Sequence, residues 1–319
     1  MAMIDRLDAK WIDCFVKVIR LRGVQPGDAC AGLSETLSRP SLVQLSELAL
    51  ARLGARWFPV VLPTPRQSAP VPVHSTGGGG QAWGDAGSAT GAALAAAGHL
   101  TLAADLPGYG LSPTIKPFDL AGLARCVVAL IDHLGAGPVV LVGHSLGGMV
   151  AQEVAALAPD RLAGLVLASS SPAFGKPGGD WQRGFLQSRF APLDAGLGMA
   201  GLSAQLVPAM VAPGTAPAVI TRAQAMMAGV PEATYRRALT ALVAFDRRAN
   251  LPHIAVPTLL ITGEHDATAA PELSRRMAER IPGALCKVVP AAGHLLNLEQ
   301  PAAFNTALRS HLSACAPAR

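Results

Sequence analysis

The amino-acid sequence predicts an α/β fold, a mostly parallel sheet flanked by helices. Three observations predict it. An apolar run, Pro138-Val-Val-Leu-Val142, leads without a break into Gly143-His-Ser-Leu-Gly147 and then into a helix-like stretch from Gly148 to Leu157; strand, tight turn and helix is the unit from which such sheets are built. Two further strand-like runs, Val256–Thr262 and Lys287–Val289, each end in a loop that carries polar side chains. The composition, 50% hydrophobic and only 15% charged over 319 residues, supplies the apolar surface for a large core.

Taken in order, the chain opens with Ile4, Leu7, Trp11, Phe15 and Val18 at helical spacing, which predicts an amphipathic helix over 4–22. Gly23-Val-Gln-Pro-Gly-Asp28 reads as a turn, and residues 41–53 as a second helix stopped by Gly54. Arg56–Leu62 is strand-like, although Pro59 lacks the N–H a ladder needs and argues for an edge. A Pro-rich connector over 63–72 follows, then the glycine run Gly77–Gly80. After the Gly143–Gly147 turn and its helix, Leu165–Ala168 reads as another strand, running into Ser169-Ser-Ser-Pro172 with no carboxylate. Residues 171–250 carry Trp181, Phe185, Met226 and Tyr235 between Pro and Gly breaks and do not read as core strand and helix.

The turn after Val142 is where the chemistry concentrates. A serine lifted onto a tight strand-to-helix turn needs neighbours without bulky Cβ groups, and Gly143 and Gly147 supply them. The helix behind it points free N–H groups and its positive dipole end at Ser145. A serine hydroxyl is a poor nucleophile without a base. Gly263-Glu-His-Asp266 and Ala292-Gly-His294 offer an acid and a base after the two later strands. In this reading His294 takes the Ser145 proton and returns it to the leaving group, while Asp266 fixes the imidazole tautomer. Histidine suits the role because an imidazole titrates near working pH, at about 6.5. Glu264 and His265 stand beside Asp266, so the position of the acid has an alternative two residues away. His99 in a turn, His133 in a helical run and His311 near the C-terminus are weaker candidates; His144 flanks the serine and is expected to turn its side chain away from it.

Composition narrows the field. No apolar run approaches the 18 residues of a membrane span, and Met1-Ala-Met-Ile-Asp-Arg6 has no signal-peptide core. Five cysteines, at 14, 30, 126, 286 and 315, form an odd and scattered set without C-x-x-C spacing. That pattern reads as reduced thiols in a cytoplasmic protein, with no metal site and no cofactor. A net charge of +5 without a Lys/Arg cluster points away from nucleic acid and leaves a small molecule as the expected partner. The oligomeric state is not legible.

Residues 99–313 resemble the α/β-hydrolase superfamily, on three stretches: Ala103–Ser112, Val142–Gly148 and Gly293–Pro301. The order Ser145, Asp266, His294 is that superfamily's order of nucleophile, acid and base. Within it, Arg276–Gly283 and Phe304-Asn305 look most similar to enol-lactonases and C–C-bond hydrolases of ring-cleavage pathways. The resemblance implies that 171–250 is a helical cap over the site, with Arg183, Arg189, Arg236 and Arg237 as candidates for a carboxylate clamp. It also implies an oxyanion hole from the N–H of Leu146 and a second N–H in the loop after the third strand. Two registers are compatible, one ending at Thr76 and one placing Gly78 as donor; Gly78 is preferred because close backbone approach favours glycine.

The opening does not fit that family, which normally begins with an antiparallel strand pair and a strand ending in His-Gly. Phe15–Val24, Leu50–Arg56 and Val60–Pro65 instead resemble the N-terminal segment of 2,5-dihydroxypyridine dioxygenases and their metallo-aminopeptidase relatives, over residues 10–77. The metal ligands of those enzymes lie further along, so neither metal nor dioxygenase activity is implied. The two likenesses meet near Ser75–Gly80, which implies a fusion. The expected organisation is an N-terminal segment at 1–70, a first hydrolase part at 71–170, the cap at 171–250 and a second hydrolase part at 251–319. The activity this implies is hydrolysis of a small ester or lactone through an acyl-enzyme on Ser145. The alternatives are N-formyl amide deformylation or C–C cleavage in aromatic catabolism, and a non-catalytic chimeric relic.

Overall fold

The computed structural model describes the backbone of residues 29–35, 56–62 and 72–76, the positions Leu50 and Arg52, and residues 90–315 apart from 92, 111, 136 and 176–178. The chain divides into two compact units, Met1–Arg66 and Gln67–Arg319.

In the first unit, β1 (Ala29–Glu35) and β2 (Arg56–Leu62) pair in parallel, with Ala29 opposite Arg56 and Glu35 opposite Leu62. Parallel neighbours require a crossover connection, and Leu50 and Arg52 within it are helical, inside the second helix expected over 41–53. Pro59 lies opposite Gly32, and among the described residues this sheet has two strands. Sequence patterning missed β1, because Ala-Cys-Ala-Gly-Leu-Ser-Glu has neither β-branched residues nor alternation. The helix expected over 4–22 and the turn over 23–28 lie outside the described residues.

The second unit is built on a six-stranded sheet. Its strands are β3 (Pro72–Thr76), β4 (Leu102–Asp105), β5 (Val139–His144), β6 (Leu162–Ala168), β7 (Thr258–Gly263) and β8 (Leu285–Val289), in the order β4-β3-β5-β6-β7-β8. All neighbouring pairs are parallel. A parallel sheet is covered on both faces, and the central strands show it residue by residue. Val139, Leu141, Leu165, Leu167 and Leu260 point into one core with α1 (Leu120–Leu134), α2 (Leu146–Leu157) and α7 (Pro271–Arg280). Val140, Val142, Val166, Ala168, Leu259 and Ile261 point into the other, against Phe304, Leu308 and Leu312 of α9 (Pro301–Cys315). This is the two-residue strand period read out as two cores.

The helices follow from their own ends. Asp119 caps α1 by accepting from Gly122 N at 2.6 Å, and Gly135 closes it in the left-handed region at φ 60°. Between β6 and β7, where the sequence reads as neither strand nor core helix, the chain forms α3 (Asp180–Asp194), α4 (Gly198–Leu206), α5 (Pro217–Ala228) and α6 (Glu232–Val243). Thr234 Oγ1 of α6 donates to Gly108 O at 2.8 Å, tying this layer to the loop after β4. No helix among the described residues is long and apolar enough to cross a membrane.

Arg247 carries the return from these helices to the sheet. Its Nε and one terminal nitrogen meet the two carboxylate oxygens of Glu153 on α2 at 2.9 and 2.5 Å, and its N–H donates to Pro172 O at 2.7 Å. Glu153 is nearly buried, whereas the Arg247 side chain retains 38% exposure. Removing one partner of a buried pair strands the other charge, and screening at the exposed arginine reduces the cost. Arg247→Ala is expected to lose about 1–3 kcal/mol of stability, visible as a lower urea midpoint with unchanged m-value.

Candidate active site

The end of β5, the start of α2 and the loops after β7 and β8 converge. Ser145 sits between strand and helix at φ 52°, ψ −116°, a conformation that costs a non-glycine residue roughly 1–3 kcal/mol and persists only when its surroundings hold it. They do. Ser145 N donates to Ala168 O at 2.8 Å, and Ser145 O accepts from Gly148 N at 2.9 Å and from the Ser170 hydroxyl at 2.9 Å. The turn is so tight that a Cβ on Gly143 would lie 2.3 Å from Gly147 O, so no side chain fits there.

His294, in the loop between β8 and the short helix α8 (Leu296–Glu299), brings Nε2 to 2.9 Å from Ser145 Oγ. Its Nδ1 lies 3.1 and 3.0 Å from Asp266 Oδ1 and Oδ2. A carboxylate only accepts, so Nδ1 carries the proton and donates to Asp266, leaving Nε2 to accept from the serine hydroxyl. Asp266 follows β7, and its Oδ1 also accepts from Thr268 N at 2.9 Å and Ala269 N at 2.8 Å. Burial pushes its pKa up, but the hydrogen bond and charge of His294 and the Ala269 N–H outweigh that and hold it below the usual carboxylate range. The neighbouring alternative does not reach the imidazole. Glu264 is exposed and accepts from Ala291 N at 3.1 Å, while His265 stands beside it at the surface.

Leu146 is the first residue of α2, so its N–H has no intrahelical partner and stands next to Ser145. Thr76 ends β3 and pairs in register with His144, the residue before Ser145. Gly78 lies outside the described residues.

Two residues to which the sequence reading gave no role bond the backbone at and beside His294. His144, expected to turn away from Ser145, has its ring centroid 5.0 Å from that of His294, and its Nε2 donates to His294 O at 2.7 Å. A histidine before the serine gives no sequence signal of this contact, which joins residues 150 positions apart. Glu299 is the other, and its oxygens receive the N–H groups of Gly293 and Leu295 on either side of His294. The arginines considered as a clamp are engaged elsewhere: Arg236 with Glu232 and Asp194, Arg183 with Asp180, and Arg237 with Thr114. Arg189 stacks over Phe185. Of the remaining histidines, His311 is buried on α9 with its Nε2 3.4 Å from Cys315 Sγ.

Burial and the nearby His294 ring push His144 down to about 4. In an unfolded chain an imidazole titrates near 6.5, so as pH falls the unfolded state takes up this proton first and folding stability drops between about 6.5 and 4. The full difference corresponds to about 3 kcal/mol. Asp266 adds a separate loss at lower pH, once its depressed carboxyl protonates. His144→Leu is therefore expected to flatten the stability slope between pH 6.5 and 4 in urea titrations, and an unchanged slope would rule this account out.

Among the described residues, no three His, Cys, Asp or Glu side chains stand together as metal ligands. Residues 73–307 match the model of the alpha/beta hydrolase family. Residues 10–113 match that of 2,5-dihydroxypyridine 5,6-dioxygenase, beginning where the resemblance in the sequence begins and running past the glycine run into the hydrolase match. A candidate carbamate hydrolase, RutD, of Variovorax paradoxus is 35% identical over 227 residues, spanning 69% of this chain and 84% of its own. The pimeloyl-acyl-carrier-protein methyl ester esterase of Neisseria meningitidis is 30% identical over 224 residues, 63% of this chain and 78% of its own. Among solved structures, the enol-lactonase from Burkholderia xenovorans is similar with a TM-score of 0.67 and 26% identity, covering 77% of this chain and 92% of its own. The six-stranded parallel sheet and the family match over 73–307 lead to one conclusion: the chain belongs to the α/β hydrolase family and is a hydrolase.

Proposed function

We propose that this protein is a serine hydrolase that cleaves a small carboxylic ester or lactone through an acyl-enzyme on Ser145. The observation that carries the reading is the unbroken line from Ser145 Oγ through His294 to Asp266, with contacts of 2.9 and 3.0 Å. Asp266, held ionised, keeps the proton of His294 on Nδ1, so the Nε2 lone pair faces the hydroxyl. As Oγ attacks the carbonyl carbon, its proton passes to Nε2 and the carbonyl oxygen becomes an oxyanion. The N–H of Leu146 and a second N–H from the loop after β3, from Gly78 in preference to Thr76, take up that charge. The tetrahedral intermediate then expels the alkoxide, which takes the proton from Nε2. Water, deprotonated by the same nitrogen, cleaves the acyl-enzyme to the acid and restores the serine.

The esterase and enol-lactonase among the relatives support this substrate class. The helices between β6 and β7 are assigned the part of a cap that shapes the pocket. The free thiols Cys126, Cys286 and Cys315 support a cytoplasmic setting. A second reading, cleavage of a carbonyl–nitrogen bond as in a carbamate or N-formyl amide, is favoured by the likeness to RutD and by the dioxygenase-like match over 10–113. The deciding experiment is labelling with a fluorophosphonate probe, comparing the natural chain with Ser145→Ala and His294→Ala. Labelling lost in both variants supports the acyl-enzyme and justifies assays with p-nitrophenyl esters, lactones and N-formyl amides. Folded protein that does not label would remove the reading.

A further inference from the structure

His294 depends on its own peptide being held still, and the structure shows every part of that peptide engaged. Its N–H donates to Met210 O at 2.7 Å, and its carbonyl accepts from His144 Nε2. The N–H groups on either side go to one carboxylate: Gly293 N lies 3.0 Å from both Glu299 oxygens, and Leu295 N lies 3.1 Å from Oε1. The same carboxylate reaches the segment between α4 and α5. Glu299 Oε2 accepts from Ala212 N at 2.7 Å and from Thr215 Oγ1 at 2.9 Å. The two segments touch closely enough that a Cβ on Gly293 would lie 2.6 Å from Met210 O and 2.7 Å from Ala212 N.

We propose that Glu299 is a positioning residue that clasps segment 207–215 to the His294 loop and thereby holds the imidazole between Ser145 and Asp266. This rests on the reading of Ser145 as nucleophile and His294 as base. The chemistry of the group fits the task. A carboxylate accepts about four hydrogen bonds and donates none, and here four donors from two segments converge on it. An amide of the same size presents an NH2 to one of those N–H groups, so Glu299→Gln opposes donor to donor without changing shape. A base displaced by about 1 Å costs on the order of 10²-fold in rate, and a loosened loop allows such a displacement.

The test combines hydrogen–deuterium exchange by mass spectrometry with the second-order rate of fluorophosphonate labelling, on the full chain, Glu299→Gln and Thr215→Val. In Glu299→Gln, peptides covering 207–215 and 291–296 are expected to exchange faster together, with β5 and β6 unchanged and labelling slowed about 10–100-fold. Thr215→Val removes one donor on the far side, together with that hydroxyl's 2.8 Å contact to Ala212 O. It is expected to loosen 207–215 alone, and it carries the comparison if Glu299→Gln does not fold. Exchange that stays at wild-type rates in both segments overturns the clasp. Loosened segments with wild-type labelling overturn the positioning role. A natural chain that does not label counts against the Ser145 reading, and the coupled exchange then decides the clasp by itself.

Discussion

Ser145→Ala and His294→Ala are each expected to lower kcat/KM toward a p-nitrophenyl ester by on the order of 10⁴–10⁶, and the double variant should be no worse than either alone. The non-additivity follows from the geometry. Ser145 Oγ and His294 Nε2 are 2.9 Å apart and, in the proposed mechanism, share one proton transfer, so removing either partner should abolish the same step. What should remain in the proposed mechanism is stabilisation of the oxyanion by N–H groups, which survives loss of the nucleophile. Neither change should unfold the protein, because the turn is held by backbone bonds from Ala168 and Gly148 and by Ser170. Thermal melting of the three variants checks this. A double variant much slower than either single one would show that the two residues act in separate steps.

Asp266→Asn is expected to cost on the order of 10⁴ in kcat with little change in fold. Both oxygens of Asp266 face Nδ1, but only Oδ1 also accepts backbone N–H groups, those of Thr268 and Ala269. In the variant these two donors must keep the amide oxygen at the Oδ1 position, which leaves the NH2 facing the imidazole. An NH2 cannot accept the Nδ1 proton, so the ring adopts the tautomer with the proton on Nε2 and can no longer accept from Ser145. Stopped assays at saturating ester read the loss in kcat. A drop below tenfold would move the acid's role away from Asp266, and Glu264→Gln would then be the variant to assay.

Much of the hydrolase body could be read from the chain because its signals are local. Gly143, Ser145 and Gly147 constrain a single turn, and the strands before Asp266 and His294 are apolar runs a few residues long. Where local signals are weak, reading failed. β1 has no strand-like composition and is a strand because β2 pairs with all seven of its residues. His144 and Glu299 look like an ordinary flanking residue and an ordinary surface glutamate, yet both hold the His294 backbone. Of the four arginines of residues 171–250 considered for a clamp, three have carboxylate or hydroxyl partners.

By itself, then, the sequence determined the α/β class, the turn that presents Ser145, and the chain order in which an acid and a histidine follow it. Those features depend on backbone conformation over a handful of residues, which glycine, β-branched and apolar side chains dictate directly. Only the tertiary structure decided that Asp266 rather than Glu264 meets the imidazole, and that His144 and Glu299 bond the backbone at and beside His294. The contacts of His144 and Asp266 reach His294 from 150 and 28 positions away. They exist because β5, β6 and β7 lie side by side in a parallel register, which brings the loops at their C-terminal ends to one place. Strand order is set by how two cores pack on opposite faces of the sheet, and no short stretch of the sequence carries that information.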